Sequence, residues 1–295
     1  MMFLLRLLLI YFISLNLYAG DENIFKKNIF NTFTENISSS IENLIGGDGD
    51  TEVKVTLGED YKPEFSIVAV KPISIHHGVD ATFLQLQLND HKVRGSGRFA
   101  TNIGIGYRKL SNDKNALTGG NIFIDYDEKG NARASLGLEL RSAAFEALAN
   151  YYQAISGGKS VGSYTERSLD GTDVSVVGQV PYLPWANIVV NHYDWEANKN
   201  SKSSSGDKIS LELALTSNLI LDLGFDDNNI DGTNNFASIK LVFPAQQGST
   251  ATTEIISEKA FADGDMSLEL LSIVRRQNKQ AIESEGTGVV IARLN

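Results

Sequence analysis

Four histidines, His76, His77, His91 and His192, are the side chains best suited to acid–base catalysis in this sequence. His192 and Asp194 are two residues apart, so in a strand they would share a face, where a carboxylate can orient a general base. The sequence pattern around His192 does not identify a nucleophile. His76 and His77 are adjacent and would point to opposite faces of a strand, which disfavours chelation. We therefore expect no catalytic site, no cofactor and no enzymatic activity.

The acidic stretch 227–232 is a candidate for metal binding, because oxygen-bearing side chains alternate before a glycine, as in the first half of a calcium loop. Ser238 stands where such a loop has its closing glutamate. A similar stretch, 263–267, fails earlier because Leu268 stands where glycine is required. Polar turn chemistry explains both stretches more simply. We predict no metal site, and a weak calcium site at 227–232 stays open as the alternative.

The N-terminal segment has the plan of a signal peptide, with one basic residue, Arg6, inside an apolar run and a small residue, Ala19, at the expected cleavage point. Ser14 and Asn16 shorten the apolar core below the roughly 20 residues that a spanning helix needs. We therefore predict a signal peptide over 1–19 and export of the chain.

Composition narrows the class of protein further. The chain has no cysteine, which excludes a disulfide framework and any thiolate metal site. Its formal net charge of -10 argues against nucleic acid as a partner, because phosphate binding needs clustered lysine and arginine.

Hydrophobic periodicity divides the exported chain into a helix and a long β region. Apolar residues over 24–44 have near-helical spacing, which predicts a short N-terminal helix within 20–50. From Thr51 to Pro244 the period is two, in about twelve runs separated by turn residues. The runs lie near 51–58, 63–73, 81–91, 100–110, 117–127, 132–142, 145–155, 172–182, 186–196, 207–216, 218–226 and 235–243.

The connections between these runs favour a transmembrane barrel over a soluble β-sandwich. Short links at 142–144, 183–185 and 217 alternate with long polar ones at 156–171, 197–206 and 227–234. Outer-membrane barrels have short periplasmic turns and long outer loops of this kind. Aromatic residues near the ends of the runs add support, since interface girdles belong there. They are Tyr107, Tyr126, Tyr151, Tyr152, Tyr182, Trp185, Tyr193, Trp195 and Phe243.

In a barrel of this size, the polar side chains of the alternating runs would face a narrow lumen. They indicate either an ion path or a salt-bridged interior, and we favour the second. These lumen candidates are Arg108, Asp125, Arg133, Glu139, Arg141, Glu212, Asp222 and Lys240.

The tail 245–295 has an apolar and basic segment that could form a helix inside the pore, from Met266 to Arg276. Arg275 and Arg276 would then face lumen carboxylates such as Glu139, Glu212 or Asp222, because a buried charge needs a partner. A disordered or periplasmic tail stays open as the alternative. The segment 286–292 has the pattern of a short strand whose partner the sequence does not identify.

The region 102–195 resembles the barrel domain of the intimin and invasin family, the inverse autotransporters. The resemblance depends on several motifs in family order: Asn102-Ile-Gly-Ile-Gly-Tyr-Arg108, Gly119-Gly-Asn-Ile-Phe-Ile-Asp-Tyr-Asp127, Arg133-Ala-Ser-Leu-Gly-Leu-Glu139, Ala149-Asn-Tyr-Tyr152, Tyr164-Thr-Glu-Arg167, Asp170-Gly171 and Gly178-Gln-Val-Pro-Tyr-Leu-Pro-Trp185. Leu270 to Asn278 is similar to the family's basic linker. The resemblance implies a twelve-stranded barrel with a periplasmic N-terminus, a linker passing outward through the pore, and adhesive modules beyond.

Two family parts have no counterpart here. No peptidoglycan-binding domain fits between Gly20 and Asp50, and 245–295 is too short for an adhesin module of roughly 100 residues. We therefore expect an all-β, transmembrane antiparallel barrel over 51–244 in the outer membrane. It would export or display its own C-terminal segment without an adhesin passenger. A small-solute channel and a surface adhesin acting through its loops are the alternatives.

The expected partners are outer-membrane lipid and the barrel-assembly machinery. Phe243, at the end of the last run, resembles the terminal aromatic residue that this machinery recognises. A host or cell-surface receptor stays unidentified.

Overall fold

The computed structural model describes residues 48–58, 63–94, 96–199, 202–285 and 288–291. The predicted signal peptide and almost all of the segment 20–50 with its predicted helix lie outside the described residues. The strands are β1 (Thr51–Gly58), β2 (Pro63–His76), β3 (Asp80–Val93), β4 (Ser96–Leu110), β5 (Ala116–Asp127), β6 (Ala132–Ser142), β7 (Phe145–Ala154), β8 (Lys159–Val161), β9 (Tyr164–Ser168), β10 (Asp170–Val180), β11 (Leu183–Glu196), β12 (Ser204–Thr216), β13 (Leu219–Asn228), β14 (Gly232–Phe243), β15 (Ala281–Ser284) and β16 (Gly288–Ile291).

Twelve of these strands form a closed antiparallel barrel in the order β1-β14-β13-β12-β11-β10-β7-β6-β5-β4-β3-β2. The first strand closes on the last, with Thr51 opposite Phe243 and Gly58 opposite Phe236. Closure leaves none of the twelve strands with an unpaired edge. A membrane-spanning sheet must be closed in this way, because unpaired backbone groups cannot be hydrated in lipid. The expected all-β barrel of about twelve strands is confirmed.

Side-chain alternation in the barrel places polar residues inside and apolar residues outside. Along β6, Leu136, Leu138 and Leu140 are exposed on the outer surface. Glu139 and Arg141 on the same strand are buried in the lumen. This is the reverse of a water-soluble sandwich and matches a barrel whose outer face contacts lipid. Within the described residues, no helix has the length and apolar character needed to cross a membrane.

The barrel has two distinct ends. At the terminal end, β1 begins, β14 ends, and the turns between paired strands are short, for example between β6 and β7. At the loop end lie the two longest connections of the barrel, between β7 and β10 and between β11 and β12. The alternation of connections predicted from the sequence is present, although several boundaries differ.

Two predicted connections were placed wrongly. Leu183–Trp185 belongs to β11, because Leu183 pairs with Val180 and the turn is formed by Pro181 and Tyr182. The segment 227–234 is mostly paired, with Asn228 opposite Gly232 in the β13–β14 hairpin. The long connection predicted at 156–171 is present, ends where β10 begins at Asp170, and contains β8 and β9.

A second sheet lies at the loop end, in the order β16-β15-β9-β8. Its strand β15 pairs with β9, so that Ile282 is opposite Ser168 and Ser284 is opposite Glu166. The C-terminal strand of unidentified partner is therefore β16, which pairs with β15. This sheet joins the end of the described chain to the connection between β7 and β10.

The aromatic residues divide between the two surfaces of the barrel. Tyr107 and Tyr126 are exposed on the outer face, where a girdle would place them. Tyr152, Tyr193 and Trp195 are fully buried in the lumen instead, which corrects their assignment to a girdle. They pack there at tilted angles, with the Tyr152 and Trp195 ring centroids 5.1 Å apart and their planes at 53°.

The lipid-facing assignment predicts a depth-dependent penalty for charge on the outer face. Leu138 is 63% exposed near the middle of β6. The substitution Leu138→Arg should lower the unfolding free energy of the barrel by about 2–4 kcal/mol. Thr118→Arg, outward but near the terminal end of β5, should lose about 1 kcal/mol or less. Urea titrations in phospholipid vesicles measure both losses, and equal small losses would contradict a lipid-facing surface.

Candidate functional site: the occupied lumen

The C-terminal part of the chain enters the barrel at the terminal end through a short 3-10 helix, Met266–Leu271. Asp265 caps this helix by accepting a hydrogen bond from the Ser267 backbone N–H at 2.7 Å. Met266 donates its N–H to the Lys114 carbonyl in the β4–β5 turn. The helix buries its apolar residues against inward side chains of the barrel: Val70, Ala81, Phe83, Leu110, Leu117 and Phe123.

The helix is shorter than the predicted segment from Met266 to Arg276. The Arg108 guanidinium donates hydrogen bonds to the carbonyl oxygens of Glu269 and Leu270, both at 3.2 Å, and to that of Ser272. These carbonyls would otherwise accept bonds from a continuing helix. Arg275 and Arg276 consequently lie on a segment that is neither helix nor strand, Ser272–Gln280, which we call the linker.

Arg108 is held by an ion pair with Glu139, whose two oxygens accept from the Arg108 guanidinium at 2.6 and 3.1 Å. Arg141 also contacts Glu139, with its Nε 3.0 Å from the carboxylate. Arg141 also donates to the Ser272 hydroxyl and to the Ile273 carbonyl, at 2.9 and 3.0 Å. One buried carboxylate thus orients two guanidinium groups toward the start of the linker.

Arg275 of the linker forms ion pairs on two sides of the lumen. It donates to Glu146 of β7 at 3.0 Å and to both oxygens of Glu212 of β12, at 3.0 and 2.9 Å. Glu212 also accepts a hydrogen bond from the ammonium group of Lys240 of β14. The same ammonium group lies 3.6 Å from Asp222 of β13. Arg275 therefore connects β7 with β12, two strands that are not paired with each other in the barrel.

Arg276 is fully buried against Asp125, with the two nitrogen–oxygen distances at 2.9 and 2.7 Å. Asp125 also accepts from Arg133 at 2.9 Å and from Asn102 at 2.7 Å. The Arg276 guanidinium lies 4.4 Å from the Phe123 ring centroid. Such a desolvated charge is tolerable only with this density of partners.

The backbone of the linker is also bound by the wall of the barrel. A segment outside regular secondary structure does not satisfy its own N–H and C=O groups, so a buried one needs external partners. Gln85 accepts from the Val274 N–H and Tyr152 accepts from the Gln277 N–H, both at 2.8 Å. Arg133 donates to the Gln277 carbonyl at 2.7 Å.

At the loop end the linker passes into the second sheet. Lys279 forms an ion pair with Glu64 of β2, and the Ser168 hydroxyl donates to the Gln280 side chain at 2.5 Å. Beyond the linker, the Glu283 carboxylate accepts the backbone N–H groups of Asn198 and Lys199 at 2.8 and 2.9 Å. The described chain thus crosses the lumen from the terminal end to the loop end.

Glu285, in the turn after β15, adds an exposed contact between the same two loops. Its carboxylate lies 3.1 Å from Lys199 and 3.3 Å from Arg167. Hydrogen bonds from Lys199 and from Arg167 hold the pKa of Glu285 below its usual value.

The lumen candidates named from the sequence all face inward and are buried. The structure brings them together in three groups, which are Arg108–Glu139–Arg141, Asp125–Arg133 and Glu212–Asp222–Lys240. Sequence reasoning missed Glu146, the second partner of Arg275. Strand alternation could have identified Glu146, because it lies an even number of residues from Asn150 and Tyr152, which face inward.

The histidine and calcium candidates have other surroundings. His192 is exposed on the outer face and contacts Asp207 of the neighbouring β12 at 2.8 Å, a residue that the sequence pattern did not pair with it. In the 227–232 stretch, Asn228 accepts the N–H groups of Ile230 and Asp231 within the turn. No group of three or more metal-ligating side chains occurs in the part of the chain that the structure describes.

The Asp125 cluster predicts a large loss of stability on removal of its charge. In Asp125→Asn, Arg133 and Arg276 would both lose a buried counter-ion, so the unfolding free energy should fall by roughly 3–5 kcal/mol. The matched control is Asp263→Asn, because Asp263 forms an exposed ion pair with Lys259 at 2.9 Å. Urea titration in vesicles should show little change in this control, and a wild-type midpoint for Asp125→Asn would contradict the assignment.

Comparison with solved structures shows the barrel fold alone. A chain solved in a study of the in-meso crystallisation of membrane proteins has a TM-score of 0.62 and 17% identity, covering 80% of this chain and 100% of that chain. The KdgM porin (TM-score 0.46, 7% identity) and the NanC porin (TM-score 0.45, 10% identity) each cover 65% of this chain and 98% of their own. None of the curated proteins gives a significant match.

The family comparison reaches further than these structures, because the model of the "Inverse autotransporter, beta-domain" family matches residues 15–278. The match includes the twelve barrel strands and nearly all of the linker. This chain therefore belongs to the inverse autotransporter β-domain family and is an outer-membrane β-barrel.

Proposed function

We propose that the barrel anchors the chain in the outer membrane and holds its own C-terminal segment threaded outward through the pore, for display at the surface. The terminal end would face the periplasm and the loop end the exterior. The observation that carries this proposal is the path of the C-terminal part of the chain. Its 3-10 helix contacts the β4–β5 turn at one end of the barrel, and β15, which follows the linker, pairs with β9 at the other end.

The charge pattern supports a resident linker over one that passes only transiently. Arg275, Arg276 and Lys279 each meet a wall carboxylate, and those carboxylates lie on different strands. Without the linker, Asp125 and Glu212 would each lose one of their cations in a confined lumen. Linker and wall are therefore complementary in sign and position, as mutual stabilisation requires.

Both ends of the linker are secured by different kinds of contact. At the terminal end the 3-10 helix buries Met266, Leu270 and Leu271 in an apolar cluster. At the loop end β15 adds to β9 by backbone hydrogen bonds, and the β11–β12 loop binds Glu283. These contacts would hold the exported segment at the exterior after threading.

The partners of such an anchor would be outer-membrane lipid and the barrel-assembly machinery. The lipid partner agrees with the apolar outer face. The assembly machinery would act on the closing strand β14, which ends at Phe243 and pairs with β1.

A small-solute channel is the second candidate function. It is favoured by a cavity of about 130 Å³ that remains beside the linker. Adhesion through the long connections has less support, because both of them are engaged by the returning C-terminal segment.

Surface labelling on intact cells tests display directly, and the cysteine-free chain makes single-cysteine variants clean reporters. A membrane-impermeant maleimide should label Asn295→Cys on intact cells. It should label Glu258→Cys only after lysis, because Glu258 is exposed on the segment that covers the terminal end.

Labelling of both variants after lysis is the control, because it measures how much of each protein is present and how reactive its cysteine is. Protection of Asn295→Cys on intact cells, with full labelling after lysis, would reject display. Labelling of Glu258→Cys alone would reverse the proposed orientation.

A further inference from the structure

The linker does not fill the lumen evenly. Its wall contacts lie mainly on β3 to β7, through residues such as Gln85, Asn102, Asp125 and Arg141. On the side of β1, β2 and β14 a cavity of about 130 Å³ remains between the linker and the wall. This cavity extends along β1 from Glu52 to Thr56 and reaches Glu64 at the start of β2.

Basic groups predominate among the charged residues that line this cavity. They come from β1, β12, β14 and the linker, as Lys54, Lys208, Lys240, Lys279 and Arg276, against the carboxylates Glu52 and Glu64. Glu64 is already paired with Lys279. The partners of Lys240 and Arg276, namely Glu212, Asp222 and Asp125, do not line the cavity, and Asp226 stands opposite Lys208 in the neighbouring strand.

The register of the barrel closure adds a second observation. Lys54 of β1 stands directly opposite Lys240 of β14, and both face the cavity. Directly opposed side chains on antiparallel strands have β-carbons about 4.5–5.5 Å apart, and like charges there repel each other. A small anion between them would relieve this repulsion.

The size of the cavity limits the ligand. A volume of about 130 Å³ is slightly below the roughly 150 Å³ of an engineered protein cavity that binds benzene, so the ligand must be small. A partly hydrated inorganic anion such as chloride fits this space, whereas a peptide or an oligosaccharide is too large.

We propose that the cavity beside the linker is a site and path for small inorganic anions, which gives the full-length barrel a weak, anion-selective conductance. This inference rests on the proposed occupancy of the lumen by the linker. It adds the location, sign and ligand class of the residual path, with Lys54 and Lys208 as the residues that determine selectivity.

Reversal potentials of the full-length protein in planar bilayers under a KCl gradient test this proposal. The wild type should favour chloride over potassium. Lys54→Glu and Lys208→Glu should each lower the chloride-to-potassium permeability ratio roughly tenfold, because each places a negative charge close to the permeating ion. Lys54→Gln should have an intermediate ratio and guards against misfolding of the charge-reversed variant.

The matched control is Lys109→Glu, the same charge change on the outer face of β4, which should leave the ratio unchanged. A folded full-length barrel that conducts no ions, or that favours potassium, would overturn the proposal. So would equal ratios in the wild type and both lysine variants. These results are separable from failure of display, because labelling of Asn295→Cys on intact cells does not depend on ion selectivity.

Discussion

The structure depends on the pairing of the linker cations with carboxylates of the barrel wall. Arg276 meets Asp125 where both side chains are fully buried, and Arg275 meets Glu212 and Glu146 on different strands. Isolated charges in such surroundings would be expensive, whereas paired charges with additional hydrogen bonds are tolerated. Each partner therefore makes the other compatible with a narrow lumen.

This constraint links the fold to the proposed function. A closed barrel of twelve strands needs its outer face apolar, so its polar residues collect inside, where they need partners. Part of that need is met within the wall, as in the pair of Arg108 and Glu139. Another part is met by the linker, as in the pair of Arg276 and Asp125, and the path of the linker leads to the C-terminal strands at the loop end. The proposed anchoring and threading thus depend on the same arrangement of charges.

The sequence was sufficient for the features that depend on local periodicity. Alternation along each strand predicted the twelve-stranded barrel, and the same parity placed Glu139, Arg141 and Asp222 in the lumen. Parity is local, because successive side chains of a strand point to opposite faces whatever the strand pairs with.

Features that depend on distant register were not predictable in this way. The contact of Arg276 with Asp125, instead of the carboxylates named for it, depends on how far the linker has advanced when it passes β5. The early end of the 3-10 helix depends on Arg108, which is remote in sequence. The pairing of β15 with β9 and of His192 with Asp207 likewise requires the relative positions of separate segments.

The most direct test of the central claim is the single-channel conductance of the full-length protein and of a chain that ends at Pro244, each confirmed as a folded barrel. If the linker occupies most of the lumen, the full-length barrel should conduct weakly and the truncated barrel should open to a much larger conductance. Equal large currents from the two proteins would show that the linker does not fill the pore.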